Sequence, residues 1–218
     1  MVSSQRGLVA GDPLRRLSRR APGAHRGLIG RERRLRFEAL DIEGPILITP
    51  KKFGDERGFF SETHNAGEWE RAGLHHKFVQ DAHSLSRDVG TIRGMHFQRP
   101  PFAQDKLVRV SRGRILDVAV DLRRSSEHFG RHVAVELSAE NWRQLFIPAG
   151  FAHGFATLEP DTEVLYKFTN FYSPAHDAGV LWNDPDIGIE WTVDAARAIL
   201  SAKDVKWPRL RDLSEAFP

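Results

Sequence analysis

The stretch ILDVAVDL at residues 115–122 alternates its side chains in a way that decides the fold class. One face of the predicted β-strand is wholly apolar, whereas the other face carries Asp117 and Asp121. A carboxylate that points from a central strand needs water, a partner or a ligand. Alternation alone leaves two interpretations open: the polar mouth of a barrel, or a solvent-exposed face of a sheet.

Similar short runs lie on both sides of this strand, and turn residues separate them. Helical patterns are confined to residues 68–72 and 194–200. Many short strands with few helices predict a mainly β domain, a jelly-roll β-sandwich or barrel with a few short helices. The other predicted strands occupy residues 45–49, 93–98, 106–110, 133–137 and 164–168.

Charge is distributed unevenly along the 218 residues, although the formal net charge is only +3. Residues 1–36 hold ten Arg against Asp12 and Glu32, which leaves 22 basic and 27 acidic residues in 37–218. We predict a disordered Arg-rich extension over 1–36 and a globular domain over 37–218. The extension also resembles an organelle transit peptide, and an upstream misassigned start is an equally open interpretation.

The composition of the domain excludes several classes of protein. An acidic domain does not favour a nucleic-acid partner. No apolar run approaches the roughly 18 residues that a membrane span requires, so we expect a soluble protein without a membrane partner. The sequence has no cysteine, which excludes disulfides and thiolate metal sites and suits a reducing cytoplasm.

Residues 93–106, RGMHFQRPPFAQDK, form the densest cluster of chemically active side chains. His96 and Gln98 share one face of the predicted strand. A regular strand would place Arg93 on the opposite face, so Arg93 and His96 can serve one pocket only if Gly94 distorts the strand or Arg93 serves a different part of the site. A histidine in a strand is more often a structural residue than a catalyst, so this cluster alone does not assign a function.

Eleven segments in order give the chain a wider resemblance. Over roughly residues 45–205 it resembles the dTDP-4-dehydrorhamnose 3,5-epimerase family of the cupin superfamily. The matching segments are GDERGFFSE (54–62), FVQDAHS (78–84), IRGMHFQRPP (92–101), KLVR (106–109), DVAVDLR (117–123), FG (129–130), LSAEN (137–141), IPAGFAHGF (147–155), LYKFTNFYSP (165–174), LWNDPDIGIEW (181–191) and LSAKD (200–204).

The resemblance implies an isomerase that acts on a dTDP-linked 4-keto-6-deoxyhexose without a cofactor. In such a sugar the C4 ketone acidifies the C–H bonds at C3 and C5, so a base, a cation for the enolate oxygen and an acid are required. By resemblance, His96 is the base, Asp204 orients it, Lys106 is the cation and Tyr166 is the proton donor. Epimerisation at both carbons would serve the biosynthesis of dTDP-rhamnose.

The resemblance also implies the residues that bind the substrate and the oligomeric state. Arginine suits a pyrophosphate because its planar fork meets two oxygens at once. The family exchanges N-terminal strands, so we expect a homodimer in which Arg57 and Glu62 act in the neighbouring site. The predicted substrate-binding residues are Arg57, Glu62, Gln80, Arg93, His153, Asp177 and Lys203.

Four positions depart from the family pattern, and three alternatives stay open. Ala82, Met95, Phe171 and Asp177 stand where the family usually has Asn, Leu, Tyr and Glu. The changes at 82 and 171 leave open whether one carbon or two is inverted. A metal-dependent cupin is disfavoured because none of the ten histidines forms an H-x-H pair. A non-catalytic sugar-nucleotide-binding cupin would be expected to lose the base or the acid.

Overall fold

The computed structural model describes residues 34–214 together with Phe217. The regular structure of this part of the chain consists mainly of short strands, with one α-helix, α1 (Ala66–Arg71), and a few 3₁₀ turns. The strands are β1 (Leu35–Ala39), β2 (Ile46–Pro50), β3 (Phe53–Asp55), β4 (Gly58–Phe60), β5 (Gln80–Ser86), β6 (Ile92–Gln98), β7 (Lys106–Arg112), β8 (Arg114–Asp121), β9 (His132–Ser138), β10 (Gln144–Ile147), β11 (Phe151–Thr157), β12 (Thr162–Phe168) and β13 (Asp177–Gly179).

Two antiparallel sheets pack face to face, and β3 and β4 form a separate hairpin. The first sheet has six strands in the order β1-β2-β10-β7-β12-β5, and the second has five in the order β13-β6-β11-β8-β9. Apolar side chains from both sheets fill the space between them, including Val108, Leu145, Val164, Ala119 and Phe155. This arrangement confirms the predicted jelly-roll β-sandwich.

Separate apolar clusters cover the outer faces of the sheets. Trp69 of α1 packs with Ile48 and Phe146 on the six-stranded sheet. On the five-stranded sheet, the segment after β13 contributes Trp182 and Leu210 to a second cluster. The C-terminal segment is therefore part of the hydrophobic core, which matters for the position of the site.

The two carboxylates of β8 point into the interior of the sandwich. Asp117 and Asp121 are fully buried, so the exposed-face interpretation is wrong. Asp121 accepts hydrogen bonds from Arg123 at 2.7 and 2.9 Å and from Ser126 at 2.6 Å. The partner of Asp117 lies in the cavity described below. The face of β8 that alternates polar and apolar residues therefore points into the interior of the sandwich.

The boundaries differ from the predictions at two places. β1 begins at Leu35, ahead of the predicted domain start at 37, because Leu35 is buried against the six-stranded sheet. The rest of the predicted disordered extension, residues 1–33, lies outside the described residues. The predicted helix over 194–200 is wrong beyond a short 3₁₀ turn, Ala195–Arg197. Ile199 instead pairs its backbone with Gly90 and Ile92.

Within residues 34–214, no helix is both long and apolar enough to cross a membrane.

Candidate active site

A cavity of about 440 Å³ opens between the two sheets at one end of the sandwich. This volume lies in the range of small-molecule sites. Both sheets and the segment that follows Ile199 supply its walls. The polar side chains that line it are those of Ser84, Thr91, Arg93, His96, Lys106, His153, Tyr166, Ser201, Lys203 and Asp204.

His96 lies on β6 and is hydrogen-bonded to a buried carboxylate from the C-terminal segment. The distance from His96 Nε2 to Asp204 Oδ1 is 2.5 Å. Burial raises the pKa of Asp204, but hydrogen bonds from His96 and Ser201 outweigh it and hold this pKa below its usual value. Asp204 is therefore an anion that orients the imidazole ring. About a third of the His96 side chain remains exposed to the cavity.

Arg93 reaches the same cavity because β6 is irregular between the two residues. His153 pairs with His96 and Phe155 with Arg93, so two steps along β11 match three steps along β6. Gly94 sits at this bulge with φ +152°, and a Cβ there would lie 2.6 Å from the backbone of Gly154. Of the two alternatives that strand parity left open, the structure shows the first: the strand is distorted at Gly94, and Arg93 and His96 line the same cavity.

Lys106 extends from β7 toward the opposite sheet. Its Nζ donates a hydrogen bond to the backbone carbonyl of His96 at 3.1 Å. Burial lowers the pKa of Lys106 to about 8, although the charge of Asp117 opposes this effect. A buried ammonium group next to the histidine can stabilise negative charge that develops in the cavity.

A second histidine–carboxylate pair lies beside the first one. His153 Nε2 is 2.7 Å from Asp117 Oδ1, and both residues are buried. Burial lowers the pKa of His153 more than Asp117 raises it. In the described part of the chain, Asp117 Oδ2 is buried without a hydrogen-bond partner. Sequence reasoning assigned His153 to the substrate but missed its pairing with Asp117, although the polar face of β8 was the signal for it.

Tyr166 enters the cavity from β12 in the six-stranded sheet, across from His96 in the five-stranded sheet. Burial raises the pKa of Tyr166 to about 12. Its hydroxyl lies 3.1 Å from Ser84 Oγ on the neighbouring strand β5. Ser84 was not predicted as a site residue, because only its contact with Tyr166 distinguishes it from other serines.

The remaining predicted binding residues fall into two groups. Lys203 lines the cavity and forms an ion pair with Asp177 of β13. Gln80, Arg57 and Glu62 lie outside the cavity within the one chain. Gln80 accepts a hydrogen bond from the backbone of Tyr172, Arg57 pairs with Asp55 at the tip of the β3–β4 hairpin, and Glu62 pairs with Arg34.

No group of three or more His, Asp or Glu side chains that could hold a metal ion occurs in the described residues. The cavity instead brings a histidine–carboxylate pair and a phenol together from facing sheets, with Lys106, Arg93 and Lys203 adding positive charge. This arrangement can take a proton from one side of a bound anion and return a proton from the other side. The fold and site thus define a jelly-roll cupin built for acid–base chemistry.

The chain belongs to the dTDP-4-dehydrorhamnose 3,5-epimerase family, whose model matches residues 39–212. It is 53% identical over 170 residues to the dTDP-4-dehydrorhamnose 3,5-epimerase of Salmonella typhimurium, covering 78% of this chain and 92% of the relative.

Two solved structures share the fold over nearly their full length. The dTDP-4-dehydrorhamnose 3,5-epimerase of Bacillus anthracis, with TDP and pyrophosphate bound, is 48% identical with a TM-score of 0.78, covering 80% of this chain and 99% of that one. The dTDP-6-deoxy-D-glucose-3,5-epimerase of Legionella pneumophila, in complex with dTDP-4-keto-L-rhamnose, is 40% identical with a TM-score of 0.80, covering 84% and 97%.

Proposed function

We propose that this protein epimerises a dTDP-linked 4-dehydro-6-deoxyhexose at C3 and C5. The observation that carries the proposal is the pair His96–Asp204 on one sheet facing Tyr166 on the other, across a cavity large enough for a hexose. Identity of about half to relatives that are named 3,5-epimerases supports inversion at both carbons.

The proposed reaction begins when His96 removes the proton beside the C4 ketone. Asp204 stabilises the imidazolium that forms, as carboxylates do in other histidine–aspartate pairs. The electron pair of the broken C–H bond moves into an enolate, whose oxygen receives charge stabilisation from Lys106. Tyr166 then gives its phenol proton to the opposite face of the carbon. Before the second carbon reacts, His96 loses its proton to solvent and the Tyr166 phenolate takes one up from solvent. The same steps then invert the second carbon, and the two groups are reset in the same way, with no net change in protons.

The charge of the cavity supports a nucleotide-linked substrate. Arg93 and Lys203 stand at the cavity and can meet a diphosphate, and Asp177 holds the Lys203 ammonium in place. Arg93 is held in turn by Ser86 Oγ and the carbonyl of Leu85, each at 3.1 Å. We assign His153 to the substrate as well, because it lies beside the base.

The decisive experiment follows the keto sugar in D₂O by NMR, position by position. We expect deuterium at both C3 and C5 together with inverted product, and no exchange with a His96→Ala variant. Exchange and inversion at one carbon only would instead establish a single-centre epimerase. No exchange above the His96→Ala control would overturn catalysis and leave a sugar-nucleotide-binding protein.

We also propose a homodimer in which Arg57 and Glu62 complete the partner's site, together with Gln80 of the resident chain. The β3–β4 hairpin carries Phe59 and Phe60, whose residues are 54% and 64% exposed. Large apolar side chains at this exposure are typical of a surface that another chain covers. Arg57, at the tip of this hairpin, is exposed and does not line the cavity of its own chain.

Complementation tests this arrangement. A His96→Asn chain mixed with an Arg57→Ala chain, each inactive alone, should regain about a quarter of the parent activity, because half of randomly paired dimers contain one complete site. Failure to regain activity from a dimeric mixture would show that Arg57 does not act in trans. We further propose a cytoplasmic location, which suits a chain without cysteine.

A further inference from the structure

Ser84 is the side chain that the structure places in hydrogen-bond contact with the Tyr166 hydroxyl. The two oxygens lie 3.1 Å apart, and Ser84 lines the same cavity. β5 and β12 are neighbours in the six-stranded sheet, and Ser84 is directly opposite Val164, two positions from Tyr166. In the described residues, no other side chain is hydrogen-bonded to this phenol oxygen.

The direction of this hydrogen bond follows from the proposed role of Tyr166. A phenol that gives its proton to a carbon must point that proton into the cavity, so its oxygen can only accept from Ser84. After the transfer the same oxygen is a phenolate, for which a hydroxyl donor is a favourable partner. The serine hydroxyl can therefore donate to the Tyr166 oxygen both before and after the proton transfer.

The surroundings of Tyr166 disfavour the phenolate that remains after the transfer. Burial is the main cause that raises its pKa, and the charge of Asp117 on β8 adds to this effect. Arg93 on β6 opposes it, and so does the hydrogen bond with Ser84. His153 on β11 packs edge-on against the ring, with centroids 6.4 Å apart. Among these groups, Ser84 is the one that is hydrogen-bonded to the phenol oxygen.

We propose that Ser84 is a positioning residue that donates a hydrogen bond to the Tyr166 oxygen, aims the phenol proton at the substrate carbon and stabilises the phenolate that remains. In this step the phenol O–H bond breaks and its electron pair stays on oxygen. The electron pair of the enolate forms the new C–H bond. The inference rests on the proposed function, since it concerns the acid of that reaction.

β5 holds a second side chain of the cavity in the same way. Ser86 and the carbonyl of Leu85 bind the guanidinium of Arg93. Residues near the end of this edge strand thus contact both Tyr166, the predicted acid, and Arg93, which is predicted to bind the diphosphate. A change at Ser84 must therefore be separated from a general disturbance of β5.

Three variants make that separation. Ser84→Thr keeps the hydroxyl, and Ser84→Val has nearly the shape of threonine without the hydroxyl. Ser84→Ala removes the hydroxyl without adding bulk. Ser111→Ala is the matched control, because Ser111 is a half-buried serine of β7 in the same sheet, bonded to a backbone carbonyl.

The first measurement needs no substrate turnover. In a Tyr172→Phe background Tyr166 is the only tyrosine, since the sequence has two. Incorporating difluorotyrosine, which titrates at lower pH than tyrosine, allows ¹⁹F NMR to follow the phenol directly. We expect its pKa to rise in Ser84→Ala and Ser84→Val, and to stay near the parent value in Ser84→Thr and Ser111→Ala.

The second measurement compares deuterium exchange at the first carbon with product formation. Removing the hydroxyl should lower the kcat for product about tenfold, the size expected for one hydrogen bond to a developing charge, with KM nearly unchanged. Exchange should fall much less, and Ser84→Thr should restore the parent ratio. An unchanged titration and an unchanged ratio in both Ser84→Ala and Ser84→Val would overturn the role of Ser84. If the parent protein shows no exchange, the proposed function fails, and the titration still decides whether Ser84 donates to Tyr166.

Discussion

His96 and His153 lie directly opposite each other on neighbouring strands, and each is hydrogen-bonded to its own buried carboxylate. They differ in access to the cavity, because the His96 side chain is 31% exposed and that of His153 only 6%. Burial also lowers the pKa of His153, which keeps this ring neutral. This difference in access supports the proposal that His96 exchanges protons with the bound sugar and that His153 only binds it.

The first prediction separates these two histidines. His96→Asn should lower turnover at least about a thousandfold, because a positioned base contributes this order of magnitude, while dTDP affinity measured by calorimetry stays near that of the parent. His153→Asn should instead raise KM and retain proton exchange. An exposed histidine of β5, His83, supplies the control His83→Asn, which should leave both quantities unchanged. Exchange that survives in His96→Asn and disappears in His153→Asn would reverse the assignment.

The second prediction concerns the carboxylate behind the base. Asp204→Asn should reduce kcat about a hundredfold or more, because the amide cannot stabilise the imidazolium that forms. The pH dependence of kcat should change with it, whereas binding of dTDP should not. Asp186→Asn, at a partly exposed aspartate outside the cavity, is the control. A full pH–rate profile that matches the parent would argue against the pair.

The third prediction tests the phenol as the acid. Tyr166→Phe should slow the formation of epimerised product far more than deuterium exchange at the first carbon, because the proton is still removed but is returned without a positioned donor. Tyr172→Phe alters the other tyrosine, which is exposed, and should have no effect. Near-normal turnover in Tyr166→Phe would mean that water or another group supplies the proton.

The fourth prediction is a pH dependence that arises from Lys106. Its pKa of about 8 means that the ammonium charge is present below this pH and is lost as the pH rises through it. Because the enolate needs that charge, kcat/KM of the free enzyme should decline above about pH 8. Lys106→Arg keeps the charge to much higher pH, so its residual activity should lack this decline. A decline at the same pH in Lys106→Arg would assign it to another group.

The fifth prediction concerns stability rather than catalysis. Burial raises the pKa of Asp121, but hydrogen bonds from Arg123 and Ser126 hold it below its usual value. Its contribution to the free energy of unfolding is thus present above the pKa of the unfolded chain and lost as the pH falls through the folded pKa. Asp121→Ala should destabilise the protein by about 3 kcal/mol at neutral pH, since it leaves Arg123 without its buried partner. Urea unfolding measures the loss, which should shrink toward acid pH.

The strands of the interior could be predicted from the sequence because their alternation reflects burial on one or both faces. The run at 115–122 is the clearest case, since Val118 and Val120 pack against the C-terminal segment while Ile115 and Ala119 face the other sheet. The helix over 194–200 was wrong because tertiary pairing of Ile199 with the start of β6 outweighs local helix propensity.

The site could be predicted only in part, because its members are distant in the chain. Spacing within one strand cannot reveal that Asp204 meets His96 from 108 residues away, and the resemblance supplied that pairing. Strand parity correctly indicated a conflict at Arg93, which the bulge at Gly94 resolves. Ser84 carried no local signal, whereas the polar face of β8 indicated that Asp117 needs a partner but did not identify His153 as that partner.

The attachment of the C-terminal segment has a consequence for the geometry of the base. His96 lies on β6, which ends at Gln98, whereas Asp204 belongs to a segment that is held by the backbone pairing of Ile199 and the burial of Leu210, Leu213 and Phe217. The same apolar packing that completes the core therefore sets the position of the carboxylate against the imidazole.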